Sequence, residues 1–174
     1  MSTIRKFKPI DSFNFGNVNL DHFTETFHFP FYFEYLSNWP YLCFLSKDSN
    51  GRMEGYHFGK IEGKEEKYHG HLTAITIARE YRRLGISRSL MYWLKQISEE
   101  YKCYYVDLFM RKSNSGALKF YENLGYSIYR EILNYYSSDG ESGLDLRLAL
   151  SRDIYKKSII PLPHPVRAED CDDL

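Results

Sequence analysis

The first part of the chain places short apolar runs between turn residues. Ile4 to Phe7 is predicted to form a first strand, and Asp11 and Ser12 can cap the helical turn that follows. A second helix is predicted from Pro30 to Trp39, because proline suits the first turn of a helix. Asn19 to Phe27 has no clean period and is predicted to be a loop.

The middle of the chain predicts a hairpin, a central strand and a long helix. Strands over Tyr41 to Lys47 and Met53 to Glu62 flank the turn Asp48-Ser49-Asn50-Gly51, where Asn-Gly favours positive φ. His71 to Ala78 is apolar on both faces, as in a buried central strand. The helix then shows apolar residues at helical spacing, namely Ile86, Leu90, Leu94, Ile97 and Tyr101.

The last third predicts one more strand, one helix and a terminal hairpin. The strand runs from Tyr104 to Met110 with Asp107 interrupting it, and the helix begins at Ser113-Asn114 and ends near Leu124-Gly125. The hairpin comprises Ser127 to Tyr136 and Leu144 to Leu150. This order of elements predicts an α/β (α+β) fold, a mixed twisted sheet with helices on both faces.

The C-terminal segment has a different character. We expect one domain over residues 1–150 and an extension over 151–174. From Ser158 the chain reads Ile159-Ile160-Pro161-Leu162-Pro163-His164-Pro165-Val166, and such prolines exclude helix and regular sheet and favour an extended, polyproline-like tail. Its aliphatic residues need cover, so the tail either packs along the domain or docks into a partner.

Composition narrows the function classes. The net charge is zero and the pI is about 7.0, so no global field favours nucleic acid or an anionic membrane. No signal peptide or membrane span is evident, which predicts a cytoplasmic protein. Cys43, Cys103 and Cys171 are odd in number and far apart, which fits neither a disulfide framework nor a zinc site. We expect no metal, and expect Cys43 and Cys103 to be buried, inert thiols.

The junction of the central strand and its helix carries candidate chemistry. It reads Arg82-Arg83-Leu84-Gly85-Ile86-Ser87. Glycine lets the backbone approach a ligand, and a helix start presents N–H groups with partial positive charge, so a pyrophosphate can bind there. A charged helix start without a ligand is the alternative interpretation. Backbone groups of Ile75, Thr76 and Ile77, just before the turn, could pair with an extended ligand arm as an added strand does.

This segment resembles the R-x-x-G-x-G/A signature of the GCN5-related N-acetyltransferases. Arg82, Gly85 and Ser87 occupy the three defining positions, although the last is normally Gly or Ala. The resemblance implies acetyl-coenzyme A as cosubstrate, and its fold matches the predicted order of elements. The reaction would be direct attack of an amine on the thioester, with no covalent nucleophile. About a tenth of α-amino groups, with a pKa of about 8, are neutral at pH 7, so a mild base suffices.

A second set of residues resembles the other coenzyme-contacting element of that superfamily. Asn114, Ala117 and Tyr121 share one face of a helix because of their spacing. The resemblance implies that Asn114 contacts the pantetheine or phosphate, that Ala117 leaves space, and that the Tyr121 hydroxyl acts as leaving-group acid. Two alternatives stay open: Asn114 as a helix cap, and Tyr121 as core.

Over essentially its whole length the sequence is similar to the family of catalytic subunits of the NatB N-terminal acetyltransferase complex. The similarity lies in Asn19-Leu20-Asp21, Thr24-Glu25-Thr26-Phe27, Pro30-Phe31-Tyr32, His69-Gly70-His71, Val106-Asp107-Leu108-Phe109, Tyr135-Tyr136-Ser137, Ala149-Leu150-Ser151-Arg152-Asp153 and the tail from Lys157 to Arg167. It implies acetylation of nascent proteins that begin with Met followed by Asp, Glu, Asn or Gln. It also implies a heterodimer with a large helical-repeat auxiliary subunit, and ribosome-associated work in the cytosol.

The same resemblance implies roles for substrate-binding residues. Glu25 and Phe27 would flank the substrate methionine, although position 27 is more usually tyrosine, and Tyr135 and Tyr136 would close over the peptide backbone. His71 and Thr73 fall on one side of the central strand and can donate hydrogen bonds to the second substrate residue. With Tyr121, His71 is also a candidate catalytic residue. As alternatives, His71 is a satisfied core histidine and Glu25 a solvated loop carboxylate.

Two other functions stay open from the sequence. One is acetylation of small amines or of lysine, which uses the same chemistry with a cleft that admits an internal chain. The other is an inactive, coenzyme-binding interaction module that uses its apolar tail as a docking peptide.

Overall fold

The computed structural model describes residues 2–20 and 26–171. A 3₁₀ helix spans Pro9–Asn17. The helices and strands, in chain order, are β1 (Thr3–Lys6), α1 (Phe29–Asn38), β2 (Cys43–Lys47), β3 (Met53–Glu62), β4 (His69–Ile77), α2 (Ile86–Glu100), β5 (Tyr105–Arg111), α3 (Ser115–Glu122), β6 (Ser127–Tyr136), β7 (Glu141–Ala149) and β8 (Val166–Arg167). The predicted order of elements is confirmed, and β8 is added to it.

The strands form one eight-stranded sheet in the order β1-β2-β3-β4-β5-β7-β6-β8. β1 and β2, β2 and β3, β5 and β7, and β6 and β7 pair antiparallel, whereas β6 and β8 pair parallel. The predicted mixed sheet is therefore confirmed. Because β7 lies between β5 and β6, the second strand of the terminal hairpin is the one that pairs with β5.

The chain divides into two compact units, one comprising Met1–Ile61 with Leu72–Ile97 and the other Glu62–His71 with Ser98–Leu174. The first unit has an aromatic core in which Phe7, Tyr32, Tyr56 and Phe58 are buried. Their rings meet edge to face, for example 4.9 Å between the centroids of Phe7 and Phe58. This geometry adds about 0.5–1.5 kcal/mol per pair to the burial of the rings.

The second unit combines an aliphatic core with a buried charged cluster. Leu108, Ile132 and Leu146 are buried on its strands. Asp145 is buried as well, and Arg130 Nε lies 2.9 Å and Arg147 Nη2 3.2 Å from its Oδ2. Two guanidinium groups thus offset part of the cost of burying this carboxylate, although burial still raises its pKa.

Several predicted boundaries differ from the structure. Ile86, Leu90, Leu94 and Ile97 are buried as expected, but Tyr101 lies beyond the end of α2 and is 42% exposed. β2 starts at Cys43 because Pro40–Leu42 forms a 3₁₀ turn. Asp11 does not begin the first helical turn; it lies inside the 3₁₀ helix that starts at Pro9.

The tail packs along the domain, which is one of the two predicted alternatives. Leu162 N donates to Tyr129 O at 2.8 Å. Val166–Arg167 then pairs in parallel with Ile132 and Leu133. The expectation that this segment excludes regular sheet is wrong for its end, because residues 166 and 167 follow the last proline and carry backbone N–H groups that can join a ladder.

Two expectations from composition can be compared with the structure. Cys43 and Cys103 are buried free thiols, and burial raises the pKa of each to about 12, so the prediction of inert thiols is confirmed. In the described part of the chain, no helix has both the length and the apolar character needed to cross a membrane.

Candidate active site

The turn between β4 and α2 has the geometry expected of an anion site. A short 3₁₀ helix over Arg79–Tyr81 follows β4, and α2 begins at Ile86. Gly85 has φ +83°, and a Cβ built on it would meet no atom of the described residues within 4 Å. A left-handed glycine therefore borders open space where the first N–H groups of α2 have no intrahelical partner. These features fit a bound diphosphate.

The other predicted residues of this turn lie around that glycine. Arg82 is exposed, and its Nε donates to Ile77 O at 3.3 Å, which ties its side chain back to the end of β4. Ser87 is half-buried in the first turn of α2. Arg83 and Leu84 are exposed, whereas Ile86 is buried and anchors the helix. The turn is thus anchored by Arg82 on one side and by Ile86 on the other, and the residues between them are exposed.

At the end of β4, the main chain is the part predicted to bind an extended ligand arm. Ile75 is half-buried, and Thr76 and Ile77 are buried. The Thr76 hydroxyl donates to Val18 O at 3.2 Å, so this side chain serves packing. A ligand contact from the main chain of residues 75–77 stays a prediction.

On α3, Asn114 is the helix cap: its Oδ1 accepts a hydrogen bond from Ala117 N at 3.1 Å. The cap alternative is therefore confirmed, whereas a coenzyme contact from Asn114 stays a prediction.

Tyr121 is buried against Phe120 and Tyr126, with ring centroids 5.1 and 5.9 Å away. Burial raises the pKa of Tyr121, so its hydroxyl remains protonated and able to donate near neutral pH.

His71 is held by a buried carboxylate. Its Nδ1 lies 2.8 Å from Asp107 Oδ1, and both residues are buried. Burial opposes the charged form of Asp107, but His71, His69 and Arg147 outweigh it, and the pKa of Asp107 is lowered. Asp107 is also the direct cross-strand partner of Arg147. It is therefore an ionised group inside the sheet, with His71 as its hydrogen-bond partner.

His69 lies on the other side of Asp107. Its Nδ1 is 2.7 Å from Lys67 O, and its Nε2 is 3.4 Å from Asp107 Oδ2 and 3.6 Å from Glu62 Oε1. Burial lowers the pKa of His69, but Glu62, Asp107 and the Lys67 carbonyl outweigh it, so the net shift is upward. His69 in turn contributes to the lowered pKa of Asp107.

Glu62, His69 and His71 also bring potential metal-ligand atoms within 4.8 Å of one another. Each histidine already directs Nδ1 to an oxygen, Lys67 O or Asp107 Oδ1. We therefore interpret the group as a hydrogen-bonded network with its own charge balance, and the absence of a metal stays a prediction.

An aromatic wall joins His71 to the terminal hairpin. Phe109 lies 5.2 Å from the His71 ring, Tyr135 5.3 Å from Phe109, and Tyr136 5.0 Å from Tyr135, all between centroids. The strand register shifts between Ile132 and Tyr136, and such irregularities redirect side chains. The structure thus brings three predicted substrate residues, His71, Tyr135 and Tyr136, onto one continuous surface.

One glycine and one arginine position the two tyrosine rings of this aromatic wall. A Cβ at Gly143 would come within 3.1 Å of the Tyr135 ring, so glycine makes room for that ring. The Arg111 guanidinium lies 4.1 Å from the centre of the Tyr136 ring. Arg111 also pairs with Asp139 and Glu141 at 2.8 and 2.9 Å, which fixes the hairpin tip.

Phe27 and Thr73, the other predicted substrate residues, both contact α1. The Phe27 ring stacks on Phe31 with centroids 4.1 Å apart, and its N–H donates to the Tyr32 hydroxyl at 3.2 Å. Thr73 Oγ1 donates to the Tyr35 hydroxyl at 2.8 Å. Helix α1 therefore orders both residues, while Glu25 lies outside the described residues.

Sequence reasoning missed the residues that support His71. In the sequence, Asp107 interrupts an apolar strand and belongs to a segment that carries the family similarity, but neither feature gives it a role; a buried carboxylate requires a partner, and this was the available signal. Phe109 belongs to the same segment and Gly143 to none, and the role of each could not be predicted because it depends on which strands are neighbours.

Comparison with known proteins agrees with this geometry. The sequence model of the acetyltransferase (GNAT) family matches residues 11–126. A relative from Arabidopsis thaliana, named N-terminal acetyltransferase B complex catalytic subunit NAA20, is 49% identical over 99% of both chains. A solved structure of Chaetomium thermophilum Naa20 with a bisubstrate analogue has a TM-score of 0.90 and 35% identity, covering 96% of this chain and 97% of that one.

A NatB acetyltransferase complex bound to CoA and MES is similar as well, with a TM-score of 0.78 and 35% identity over 85% of this chain and 99% of that one. The family model spans most of the chain and the Arabidopsis relative covers nearly all of it. The chain therefore belongs to the acetyltransferase (GNAT) family and, within it, to the catalytic subunits of NatB-type N-terminal acetyltransferases.

Proposed function

We propose that this protein transfers the acetyl group of acetyl-coenzyme A to the α-amino group of proteins that begin with Met-Asp, Met-Glu, Met-Asn or Met-Gln. The observation that carries the proposal is the environment of His71. Asp107 holds one nitrogen of this buried imidazole, and Phe109 and Tyr135 continue the surface beside it. A polar group on an aromatic wall suits a peptide with a polar second side chain.

The proposed donor site uses the turn after β4. Gly85 and the N–H groups at the start of α2 would bind the diphosphate, with Arg82, Arg83 and Ser87 around it. The backbone of residues 75–77 would pair with the pantetheine arm, and Asn114 and Ala117 would flank it. Acetyl-coenzyme A, when bound, supplies an acetyl thioester open to attack by an amine.

Tyr121 is the proposed acid. Tyr121 is buried and the pKa of its hydroxyl is raised, so the hydroxyl keeps its proton near neutral pH and can donate a hydrogen bond to the thiolate that develops as the leaving group departs. A positioned donor of this kind typically accelerates a step by about 10²–10⁴.

The acceptor needs little activation because an α-amino group has a pKa of about 8. Phe27 and Glu25 would flank the methionine, and Tyr135 and Tyr136 would cover the peptide backbone. Position 27 carries no hydroxyl here, so Phe27 contributes packing through its stack on Phe31. His71 and Thr73 would bind the second side chain.

The proposal extends to the cellular setting. By analogy with the NatB complexes among its relatives, the chain would work in the cytosol with a large helical-repeat auxiliary subunit, on nascent chains at the ribosome. Exposed apolar residues on the N-terminal helical elements, Ile10, Phe13, Phe29 and Phe33, are consistent with a protein partner.

Peptide selectivity tests the proposal. The chain, co-expressed with its auxiliary subunit, is incubated with acetyl-coenzyme A and peptides that begin Met-Asp or Ser-Ala or that offer only an internal lysine. We expect kcat/KM to be highest for Met-Asp. Preference for the lysine peptide would indicate a lysine acetyltransferase, and coenzyme binding without any turnover would indicate an inactive module.

A further inference from the structure

A turn in the C-terminal segment lines a cavity in the second unit. The buried carboxylate of Asp153 accepts hydrogen bonds from Lys157 N at 3.0 Å and from Ser158 N at 2.8 Å. The chain therefore folds back on itself shortly after β7. The cavity that this turn lines has a volume of about 420 Å³, within the range of roughly 300–1,000 Å³ that is typical of small-molecule sites.

The described residues that line this cavity carry more positive than negative charge. Its acidic side chains are Glu66 and Asp153, and both carboxylate oxygens of Asp153 already accept the amides of the turn. Arg147 is buried in the lining, and its Nη2 lies 3.2 Å from Asp145 Oδ2, so its charge is partly met within the protein. The other basic side chains of the lining are Lys67, Arg152 and Lys157. Four basic groups thus face two acidic ones, which favours an anionic ligand.

Aromatic rings orient the two arginines of the lining. The guanidinium of Arg147 lies 3.5 Å from the centre of the Tyr129 ring, and that of Arg152 lies 4.4 Å from the centre of the Tyr104 ring. Arg152 Nη1 also donates to Lys102 O at 2.8 Å. A guanidinium has five N–H donors in one plane, so Arg152 keeps further donors for an anion with several oxygens. Phosphate is such an anion, and arginine is a preferred residue for binding it.

The cavity also has an apolar, aromatic side that is open to solvent. Ile154 and Tyr155 belong to its lining and are 79% and 81% exposed. An exposed tyrosine ring beside basic groups is a stacking surface for a nucleobase. Glu66, which is exposed, can accept a hydrogen bond from a sugar hydroxyl. The lining therefore matches a ligand that joins a phosphate to a planar ring.

We propose that this cavity binds a nucleotide, either a free mononucleotide or the terminal nucleotide of a single-stranded RNA. Arg152 and Lys157 bind the phosphate, and the Tyr155 ring stacks on the base. The inference requires neither the proposed acetyl transfer nor the turn after β4. The described residues that line the cavity all belong to the second unit, whereas that turn belongs to the first.

Isothermal titration calorimetry tests the inference with 5′-AMP and inorganic phosphate as probes. The chain is co-expressed with its auxiliary subunit and titrated in a buffer that contains no phosphate. We expect a Kd for AMP below about 1 mM, and a Kd for inorganic phosphate at least about tenfold higher because this probe lacks the ring. Absence of AMP binding, or equal affinity for the two probes, would overturn the inference.

Three substitutions locate the AMP site. Arg152→Gln and Lys157→Gln should each raise the Kd for AMP by about tenfold. Tyr155→Ala should raise the Kd for AMP by about 5- to 100-fold and leave that for inorganic phosphate unchanged. All three variants should keep the wild-type Kd for acetyl-coenzyme A, which also shows that they are folded. Lys6→Gln, which removes an exposed positive charge from β1, is the matched control and should bind AMP as the wild type does. Unchanged AMP affinity in all three variants would overturn the inference.

Gly85→Ala separates this cavity from the turn after β4. We expect this variant to bind AMP with wild-type affinity. A loss of AMP affinity that matches its loss of coenzyme affinity would mean that AMP occupies the proposed diphosphate site, and would overturn the inference. Absence of acetyl transfer would refute only the proposed function, because AMP binding does not require turnover.

A 5′-phosphorylated uridine pentamer distinguishes the two sources of the nucleotide. Binding tighter than that of AMP, and weakened by the same three substitutions, would identify the terminus of an RNA as the ligand. Binding weaker than that of AMP would identify a free mononucleotide.

Discussion

Gly85→Ala is the substitution that most directly tests the turn after β4. Gly85 has φ +83°, and the added methyl would enter open space. Steric crowding is therefore excluded as a cause of any effect within the protein. The left-handed conformation of an L-residue costs about 1–2 kcal/mol, so we expect the free energy of unfolding to fall by about that amount.

The affinity for the coenzyme should change more than the stability of the protein does. If the turn relaxes, or the methyl occupies the space of the diphosphate, at least one hydrogen bond to a charged group is lost. The loss of such a bond weakens binding by about 1.5–3 kcal/mol. The Kd for acetyl-coenzyme A should then rise by roughly 10- to 100-fold. Isothermal titration calorimetry measures this Kd, and urea unfolding measures stability.

Gly51→Ala is a matched control in the same unit. Gly51 has φ +80° and, in the described part of the chain, likewise has no atom within 4 Å of a built Cβ, but it lies in the turn between β2 and β3. Both variants should lose similar stability, and only Gly85→Ala should lose coenzyme affinity. Unchanged coenzyme binding in Gly85→Ala, with the expected loss of stability, would refute the assignment of the diphosphate to this turn.

Four further predictions concern other contacts. Tyr121→Phe should lower the rate of the chemical step by about 10²–10⁴ in single-turnover assays with coenzyme affinity nearly unchanged, and an unaltered rate would remove Tyr121 as acid. His71→Ala should raise KM for Met-Asp peptides by about 10- to 100-fold while barely changing the coenzyme Kd; the reverse pattern would argue against substrate contact. Gly143→Ala should push the Tyr135 ring, 3.1 Å from the new methyl, and raise peptide KM, whereas Gly16→Ala, which meets nothing within 4 Å, should not. Asp11 is buried beside Arg5 and Lys47. Burial opposes its charge, but these partners lower its pKa to about 2. Its ionised form therefore contributes about 2 kcal/mol to the free energy of unfolding above pH 4, and this contribution is lost as pH falls towards 2. Urea unfolding of Asp11→Asn should show that loss at pH 7 and little difference at pH 2, and equal stabilities at pH 7 would contradict it.

Much of the fold follows from local pattern. Alternation of apolar residues, the Asn50-Gly51 turn and the prolines at 30 and 40 place most of the elements within a few residues. These signals are local because they act through backbone preferences and burial of one face. The same holds for the turn after β4 that is proposed to bind the coenzyme, since a strand, a glycine and a helix start follow one another along a few residues of chain.

The support of His71 is of another kind. Asp107 lies 36 positions away in sequence, and Gly143 makes room for Tyr135 only because β6 and β7 pair in one particular register. The short strand β8 likewise depends on a partner, β6, to complete its hydrogen bonds. The sequence by itself determined the elements, the glycine turn after β4 and the family, because each is encoded in contiguous residues. Only the tertiary structure decided which nitrogen of His71 is held by Asp107, because that depends on a carboxylate brought to it by another strand.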